Sequence, residues 1–225
     1  MMNSMTIRML PEHEVHELLR AGEINIVETP LAKSKEDAVI VAERLGFPVV
    51  LKVASPDITH KSDAGGVELN ISGPEQVRES YDRIISSARK HDSKAIIDGV
   101  SIQKMVPKGI ELIVGMSTDR TFGPMIMFGI GGVFVEVLKD VAFRIAPLSE
   151  KDAHEMIREI KGFALLTGFR GEKPVDVAYL ENLLMKVSRL VEENPEIQEL
   201  DLNPVIAYPE SAVVVDARIV LKNSS

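Results

Sequence analysis

The residue types that suit phosphate chemistry gather at two places in the chain. Lys52 sits inside Val49-Val50-Leu51-Lys52-Val53-Ala54. An ammonium on an apolar strand needs an anion or water, because an unpaired charge in a core is costly. That suits a phosphate ligand on the inner face of a cleft. An edge-strand lysine facing solvent, or one held in a structural ion pair, fits the same text. The loop Ser55-Pro56-Asp57-Ile58-Thr59-His60-Lys61-Ser62-Asp63-Ala64-Gly65-Gly66 follows directly. Gly65 and Gly66 allow backbone amides to approach phosphate oxygens closely. Lys61 adds positive charge. A neutral imidazole can accept a phosphoryl group and give it up again, which suits His60 to a covalent carrier role. An exposed loop histidine without a role is the alternative, and the residues alone leave both readings open.

Oxygen ligands gather near the other end, in Leu200-Asp201-Leu202-Asn203-Pro204 and Val213-Val214-Val215-Asp216. Period two puts Asp201 and Asn203 on one face of a strand. If Pro209-Glu210 forms a two-residue turn, Tyr208 faces Ser211. Counting back along both strands then sets Asn203 opposite Asp216. Such a face suits Mg2+, which binds through one or two protein oxygens plus nucleotide phosphates. A solvated sheet face, with Asn203-Pro204 as a turn former, competes with it. A carboxylate straight after three valines favours the metal.

Other candidates are single residues. Gln103, Lys104, Met105 and Val106 precede a turn-rich join and suit backbone contacts to an adenine, while Glu111 suits a ribose hydroxyl. Gly129, Gly131 and Gly132 make either an anion-binding turn or a tight bend. Arg144 alternates with Phe143 and Ile145 and so faces away from them; it suits a phosphate clamp or an ordinary surface position. His13, His16, His91 and His154 show no metal-ligand spacing. The G-x-x-x-x-G-K-[ST] phosphate loop is absent, and Gly129-Ile130-Gly131-Gly132 does not complete a dinucleotide fingerprint.

These residues must be held by a mixture of helices and strands. Ser34 caps a helix expected over Lys35 to Leu45, and Gly46 with Pro48 stops it. Val49 to Ala54 and Val67 to Ile71 read as strands. Pro74 opens a helix with Val77, Tyr81, Ile84, Ile85 and Ala88 on one face. Further strands are expected at Val100 to Val106, Glu111 to Met116, Met125 to Phe128, Val133 to Val137 and Ala142 to Ala146. Ser149 caps a helix bearing Ala153, Met156, Ile157 and Ile160. A longer helix carries Leu180, Leu183, Leu184, Val187, Leu190 and Val191. Strands near Glu199 to Tyr208 and Ala212 to Val220 close the chain. The pattern is α+β, in two lobes: residues 1–105, with a short N-terminal helical lead, and residues 106–225.

Bulk properties narrow the class. The 225 residues suffice for a substantial core, and the net charge of -8 disfavours nucleic acid and acidic membranes. The chain has no cysteine, which removes disulfides, thiolate zinc sites and a cysteine nucleophile. No apolar run is long enough for a membrane span. A cytoplasmic location is expected.

Taken in order, the features resemble the ATP-grasp domain of ADP-forming acyl-CoA synthetases, notably the separate β subunit of the archaeal enzymes. The text that carries the resemblance is Gly46-Phe47-Pro48-Val49-Val50-Leu51-Lys52, Ser55-Pro56-Asp57-Ile58 and His60-Lys61-Ser62-Asp63-Ala64-Gly65-Gly66-Val67. It continues with Gly131-Gly132-Val133-Phe134-Val135-Glu136 and Phe143-Arg144-Ile145-Ala146-Pro147-Leu148. It ends with Asp201-Leu202-Asn203-Pro204 and Val215-Asp216-Ala217-Arg218. The resemblance implies two α+β lobes with nucleotide held between them. It implies that Lys52 contacts nucleotide phosphates, that Gln103 to Val106 form the adenine hinge, and that Glu111 contacts the ribose. Asn203 and Asp216, with Asp201 beside them, look like Mg2+ ligands. His60 looks like a phosphohistidine that passes phosphate between ATP or ADP and a CoA-binding α subunit, in an expected α2β2 heterotetramer. The implied reaction is acyl-CoA + ADP + phosphate giving acid + CoA + ATP. The chain shows no CoA-binding segment, so it is not expected to complete that reaction alone. An ATP-grasp carboxylate–amine ligase and a non-catalytic nucleotide-binding module are the competing readings.

Overall fold

A computed structural model describes residues 7–58, 60–132, 139–168, 171 and 173–222. In chain order its elements are β1 (Ile7–Met9), α1 (Glu12–Ala21), β2 (Leu31–Ala32), α2 (Lys35–Leu45), β3 (Val49–Ala54), β4 (Val67–Ile71), α3 (Pro74–His91) and β5 (Gly99–Lys104). They continue as β6 (Ile110–Asp119), β7 (Gly123–Ile130), β8 (Val141–Ile145), α4 (Glu150–Glu159), α5 (Phe163–Leu166) and α6 (Val177–Glu193). The last three are β9 (Ile197–Ala207), β10 (Ala212–Val214) and β11 (Ala217–Lys222). The expected strand Val133 to Val137 lies outside the described residues.

The chain separates into two compact units, one of them Val27–Pro107. The other joins the chain up to Ile26 to the chain from Lys108 onward. This differs from the expected division into 1–105 and 106–225. The lead helix α1 belongs with the later elements because Val15 and Leu19 are buried in their core. Leu10 also donates its N–H to the carbonyl of Ile219 in β11.

The Val27–Pro107 unit is an antiparallel sheet in the order β2-β5-β3-β4. Val49, Leu51 and Val53 of β3 and Val100 and Ile102 of β5 share a core with Ala38 and Ala42 of α2 and Val77 and Ile84 of α3. The alternate residues Lys52, Ser101 and Gln103 therefore point to the opposite face. Helix α2 begins where expected, with the Ser34 hydroxyl accepting the Asp37 N–H. It ends at Gly46, whose φ of 76° favours a residue without a Cβ.

In the larger unit the sheet runs β1-β11-β9-β6-β7-β8, with β10 also paired to β9. Leu112, Val114, Met116, Ile126, Phe128, Leu200 and Leu202 face a core filled by Met156 and Ile157 of α4 and Leu180, Leu184 and Val187 of α6. Ser149 and Asp152 form a reciprocal capping box that starts α4. The expected strand Ala212 to Val220 is two strands, interrupted at Val215 and Asp216. Both halves still pair with β9.

Candidate functional site

In the larger unit, the face of the sheet turned away from the helices carries the oxygen ligands. Ala212, Val213 and Val214 stand opposite Ala207, Ile206 and Val205, and the Tyr208 N–H donates to the Ser211 carbonyl at 2.8 Å. This is the register expected from the two-residue turn. It carries through the interruption, since the Asn203 N–H donates to the Asp216 carbonyl at 3.0 Å. Leu200 and Leu202 enter the core, so Asp201 and Asn203 share the other face. Asp201 lies across from Arg218 on one side and Gly115 on the other. Burial pushes the Asp201 carboxyl up from its usual range; Arg218 pulls it down, and Asp216 and Glu199 reinforce the rise. The Asp216 carboxylate accepts the Ala217 N–H at 3.0 Å, which ties its side chain to the strand break.

The donor set is carboxylate and amide oxygen, the hard ligands that Mg2+ takes. Among the described residues, no group of three or more His, Cys, Asp or Glu stands ready to hold a metal. A Mg2+ here would need nucleotide phosphates to complete its shell, which is its usual habit in nucleotide sites.

Glu111 occupies the same face by alternation along β6, since Leu112 and Val114 are core residues. Its carbonyl accepts the Gly131 N–H at 2.7 Å, and its carboxylate lies close against Gly132. A Cβ on Gly132 would stand 3.0 Å from Glu111 Oε2. Phe143 and Ile145 of β8 extend this face, 46% and 51% exposed. Arg144 does not join it. It points with Ala142 to the helix-covered side, where Glu159 accepts from its guanidinium at 2.7 Å and Asp152 and Glu155 lie at 4.0 Å. The structure thus places Arg144 in an ion-pair cluster with α4, on the opposite face of the sheet from Phe143 and Ile145. The physical reason is the strand period, which sets residue 144 opposite in face to 143 and 145.

In the Val27–Pro107 unit, Lys52 is 7% exposed and Gln103 1%. Lys52 pairs across the sheet with Ser101, and Val50 with Gln103. The Gln103 side chain donates to the Thr29 hydroxyl at 3.1 Å. Lys104 turns its ammonium to the carbonyls of Gly46 and Phe47, at 2.6 and 2.7 Å, where it completes the C-terminal end of α2. The Met105 N–H donates to the Pro48 carbonyl at 3.0 Å. Met105 and Val106 are partly exposed just before the unit ends.

His60 is exposed, and residues on both sides of it are anchored. Ile58 is 3% and Ala64 5% exposed, both in the core shared with α2 and α3. From His60 to Gly66 the chain closes on itself. The Ala64 N–H donates to the His60 carbonyl, Gly65 to Ser62, and Gly66 to Lys61. Gly65 has φ 62°, and a Cβ on Gly66 would stand 2.5 Å from Val53 Cγ1 and 2.9 Å from the Lys61 carbonyl. The glycine pair is therefore needed to close this turn against β3. Downstream, Glu68 of β4 accepts from Arg83 through two nitrogens and from Ser80 of α3, which fixes the strand that leaves the loop.

Sequence reasoning did not single out Arg218, although the same count that set Asn203 against Asp216 sets Arg218 against Asp201. Asp57 was also passed over; its partner lies far along the chain and leaves no local signal.

Comparison with known proteins shows the family of the chain. Residues 2–221 match the ATP-grasp domain family, so the chain belongs to that family. It is 50% identical to the β subunit of ADP-forming acetate–CoA ligase I of Pyrococcus furiosus, over 95% of this chain and 92% of that one. It is also 50% identical to ADP-forming acetate–CoA ligase I of Archaeoglobus fulgidus, over 91% of this chain but 30% of that longer protein. Among solved structures, acetyl-coenzyme A synthetase 1 of Candidatus Korarchaeum cryptofilum, in complex with coenzyme A, Ca-AMPCP and HgCl+, superposes with a TM-score of 0.93 at 49% identity. That match covers 96% of this chain and 94% of that one. The same protein with coenzyme A and Mg-AMPPCP, described with its phosphohistidine segment pointing towards the nucleotide binding site, gives a TM-score of 0.83 at 47% identity. Here 95% of this chain and 93% of that one are covered. Within the ATP-grasp family, the chain groups with the β subunits of ADP-forming acetate–CoA ligases.

Proposed function

We propose that this chain is the nucleotide-binding subunit of an ADP-forming acyl-CoA ligase, with His60 as its phosphate carrier. The observation that carries the assignment of His60 is its exposure at the start of a self-closed turn, between the buried residues Ile58 and Ala64. A carrier must meet more than one reaction partner while staying attached to a fixed frame. His60 has that arrangement. The phosphohistidine segment described for the Korarchaeum relative supports it.

In the step we assign to this chain, an imidazole nitrogen of His60 attacks the terminal phosphorus of ATP. The N–P bond forms, the bond from phosphorus to the bridging oxygen breaks, and ADP leaves with that electron pair. The reverse step makes ATP. Such a transfer depends on positioning and charge neutralisation more than on covalent help. Lys52 supplies a cation from a buried strand, and we assign it to the nucleotide phosphates. Asn203 and Asp216 would hold Mg2+, with Asp201 beside them; the ion supplies charge neutralisation on the phosphate oxygens. Glu111 is assigned to the ribose and the backbone from Gln103 to Val106 to the adenine, with the Lys104 side chain serving the end of α2. Gly65 and Gly66 are assigned first to the turn that presents His60.

The acyl-CoA chemistry belongs to a CoA-binding partner subunit, and we propose an α2β2 assembly in the cytoplasm. Among the described residues no helix is long and apolar enough to cross a membrane. The full reaction is acyl-CoA + ADP + phosphate giving acid + CoA + ATP. Incubation with Mg2+ and ATP labelled in its terminal phosphate should give an acid-labile, base-stable label on the wild type and none on His60→Ala. Equal labelling of the two would remove His60 as carrier and leave a carboxylate–amine ligase as the better reading.

A further inference from the structure

Among the described residues, a long-range side-chain hydrogen bond ties the incoming limb of the loop that carries His60 to the rest of its unit. Ser55 Oγ accepts the Asp57 N–H at 3.2 Å and turns the chain back on leaving β3. The Asp57 carboxylate then accepts the Ile96 N–H at 2.7 Å, from the segment between α3 and β5, thirty-nine residues away. Asp57 stands three residues before His60 and next to Ile58, which is buried. The outgoing limb is held differently. It closes through its own backbone, from Ala64 to His60 and from Gly66 to Lys61, and joins β3 where the Val53 N–H donates to the Gly66 carbonyl.

These two limbs have different mechanical consequences. The turn from His60 to Gly66 keeps its internal hydrogen bonds if it moves as a body. The bond from Asp57 to Ile96 joins two separate segments, so it resists any displacement that carries Asp57 with that body away from the 92–98 segment. We infer that Asp57 is a positioning residue for the carrier reaction. Its carboxylate holds the His60 turn in the placement seen here and thereby sets how the turn divides its time between its two reaction partners. This rests on the reading of His60 as carrier. It goes beyond that reading by naming the residue outside the turn that biases it.

The test uses the complete enzyme with its CoA-binding subunit and two separate measurements. One follows labelling of this chain by Mg2+ and ATP. The other follows its labelling by acyl-CoA and labelled inorganic phosphate without nucleotide; this releases acid and CoA and leaves the phosphoryl group on histidine. Loss of a carboxylate acceptor that holds one placement should move the two rates unequally. Asp57→Ala is expected to change their ratio by about tenfold, the scale of one charge-assisted hydrogen bond. Asp57→Asn, which still offers an acceptor oxygen to the Ile96 N–H, should restore most of the ratio. Ile96→Pro, which removes the donor, should reproduce the Asp57→Ala ratio, so the proposal does not depend on one variant. An unchanged ratio in Asp57→Ala and Ile96→Pro, or equal slowing of both labelling reactions, would overturn it. So would failure of Asp57→Asn to restore the ratio. His60→Ala is run beside them. Label retained in His60→Ala defeats the carrier reading itself, whereas label lost there with an unchanged Asp57→Ala ratio defeats the positioning role alone.

Discussion

Glu68 shows how a single residue outside the proposed reaction supports the loop that bears His60. Its carboxylate accepts from Arg83 and Ser80, which fastens β4 to α3 immediately after the Gly65-Gly66 turn. The hydrogen bonds from Arg83 hold this carboxyl below its usual range, against an opposing effect of burial. A carboxyl depressed in the folded state adds stability above its unfolded pKa of about 4.3, and that stability is lost as pH falls through the folded value. Glu68→Gln should therefore destabilise the protein at pH 7, and lose that difference progressively below about pH 4. Because Arg83 is half exposed, the effect at pH 7 should be about 1 kcal/mol. Urea unfolding of both proteins at pH 7 and pH 3 checks this; an equal gap at both values would show that ionisation is not the cause. His60 itself was visible in the sequence as a histidine in a glycine-ended loop. Its exposure between two buried anchors was not, because Ile58 and Ala64 are buried by helices that lie elsewhere in the chain.

At the scale of elements, the turn between β3 and β4 is built around the absence of a Cβ. Gly66→Ala would press a methyl carbon into Val53 and the Lys61 carbonyl. Relief requires either β3 or the turn to move, and overpacking of this kind typically costs about 1–3 kcal/mol. The expected result is a lower urea midpoint with unchanged slope, together with slower labelling of His60. Unaltered stability would mean that the turn relaxes freely. The sequence was strongly informative about elements of this size. Ser34, Gly46, Pro74 and Ser149 marked helix ends correctly because capping is a contact between near neighbours. It was also informative about the closing hairpin, where the register that follows if Pro209-Glu210 is a two-residue turn is the one observed. It did not reveal β1, β2 or α5, which are too short to show a period and are held by partners far along the chain.

For the whole molecule, the net charge of -8 means that an anionic nucleotide is not attracted by the surface at large. In the proposed function, binding depends on local cations, Lys52 of β3 among them. A ligand that binds the folded state alone stabilises it by about 2.7 kcal/mol at one hundred times its dissociation constant. Mg-ADP should therefore raise the melting temperature of the wild type in a concentration-dependent way. With Lys52→Ala the shift should largely vanish at the same concentrations, and chelation of Mg2+ should weaken it in the wild type. A full shift in Lys52→Ala would place the phosphates elsewhere.

The amino-acid sequence by itself determined the element types, the helix ends and the family, since these follow from local contacts, periodicity and motif text. Tertiary structure decided which side chains act together. Arg144 was set among the carboxylates of α4, and Arg218 beside Asp201. The lead helix went with the later elements, and Asp57 reached an amide thirty-nine residues on. Each of these depends on which strand or helix becomes a neighbour after long loops close. That choice is made by the packing of whole apolar faces, and no local run of residues records it.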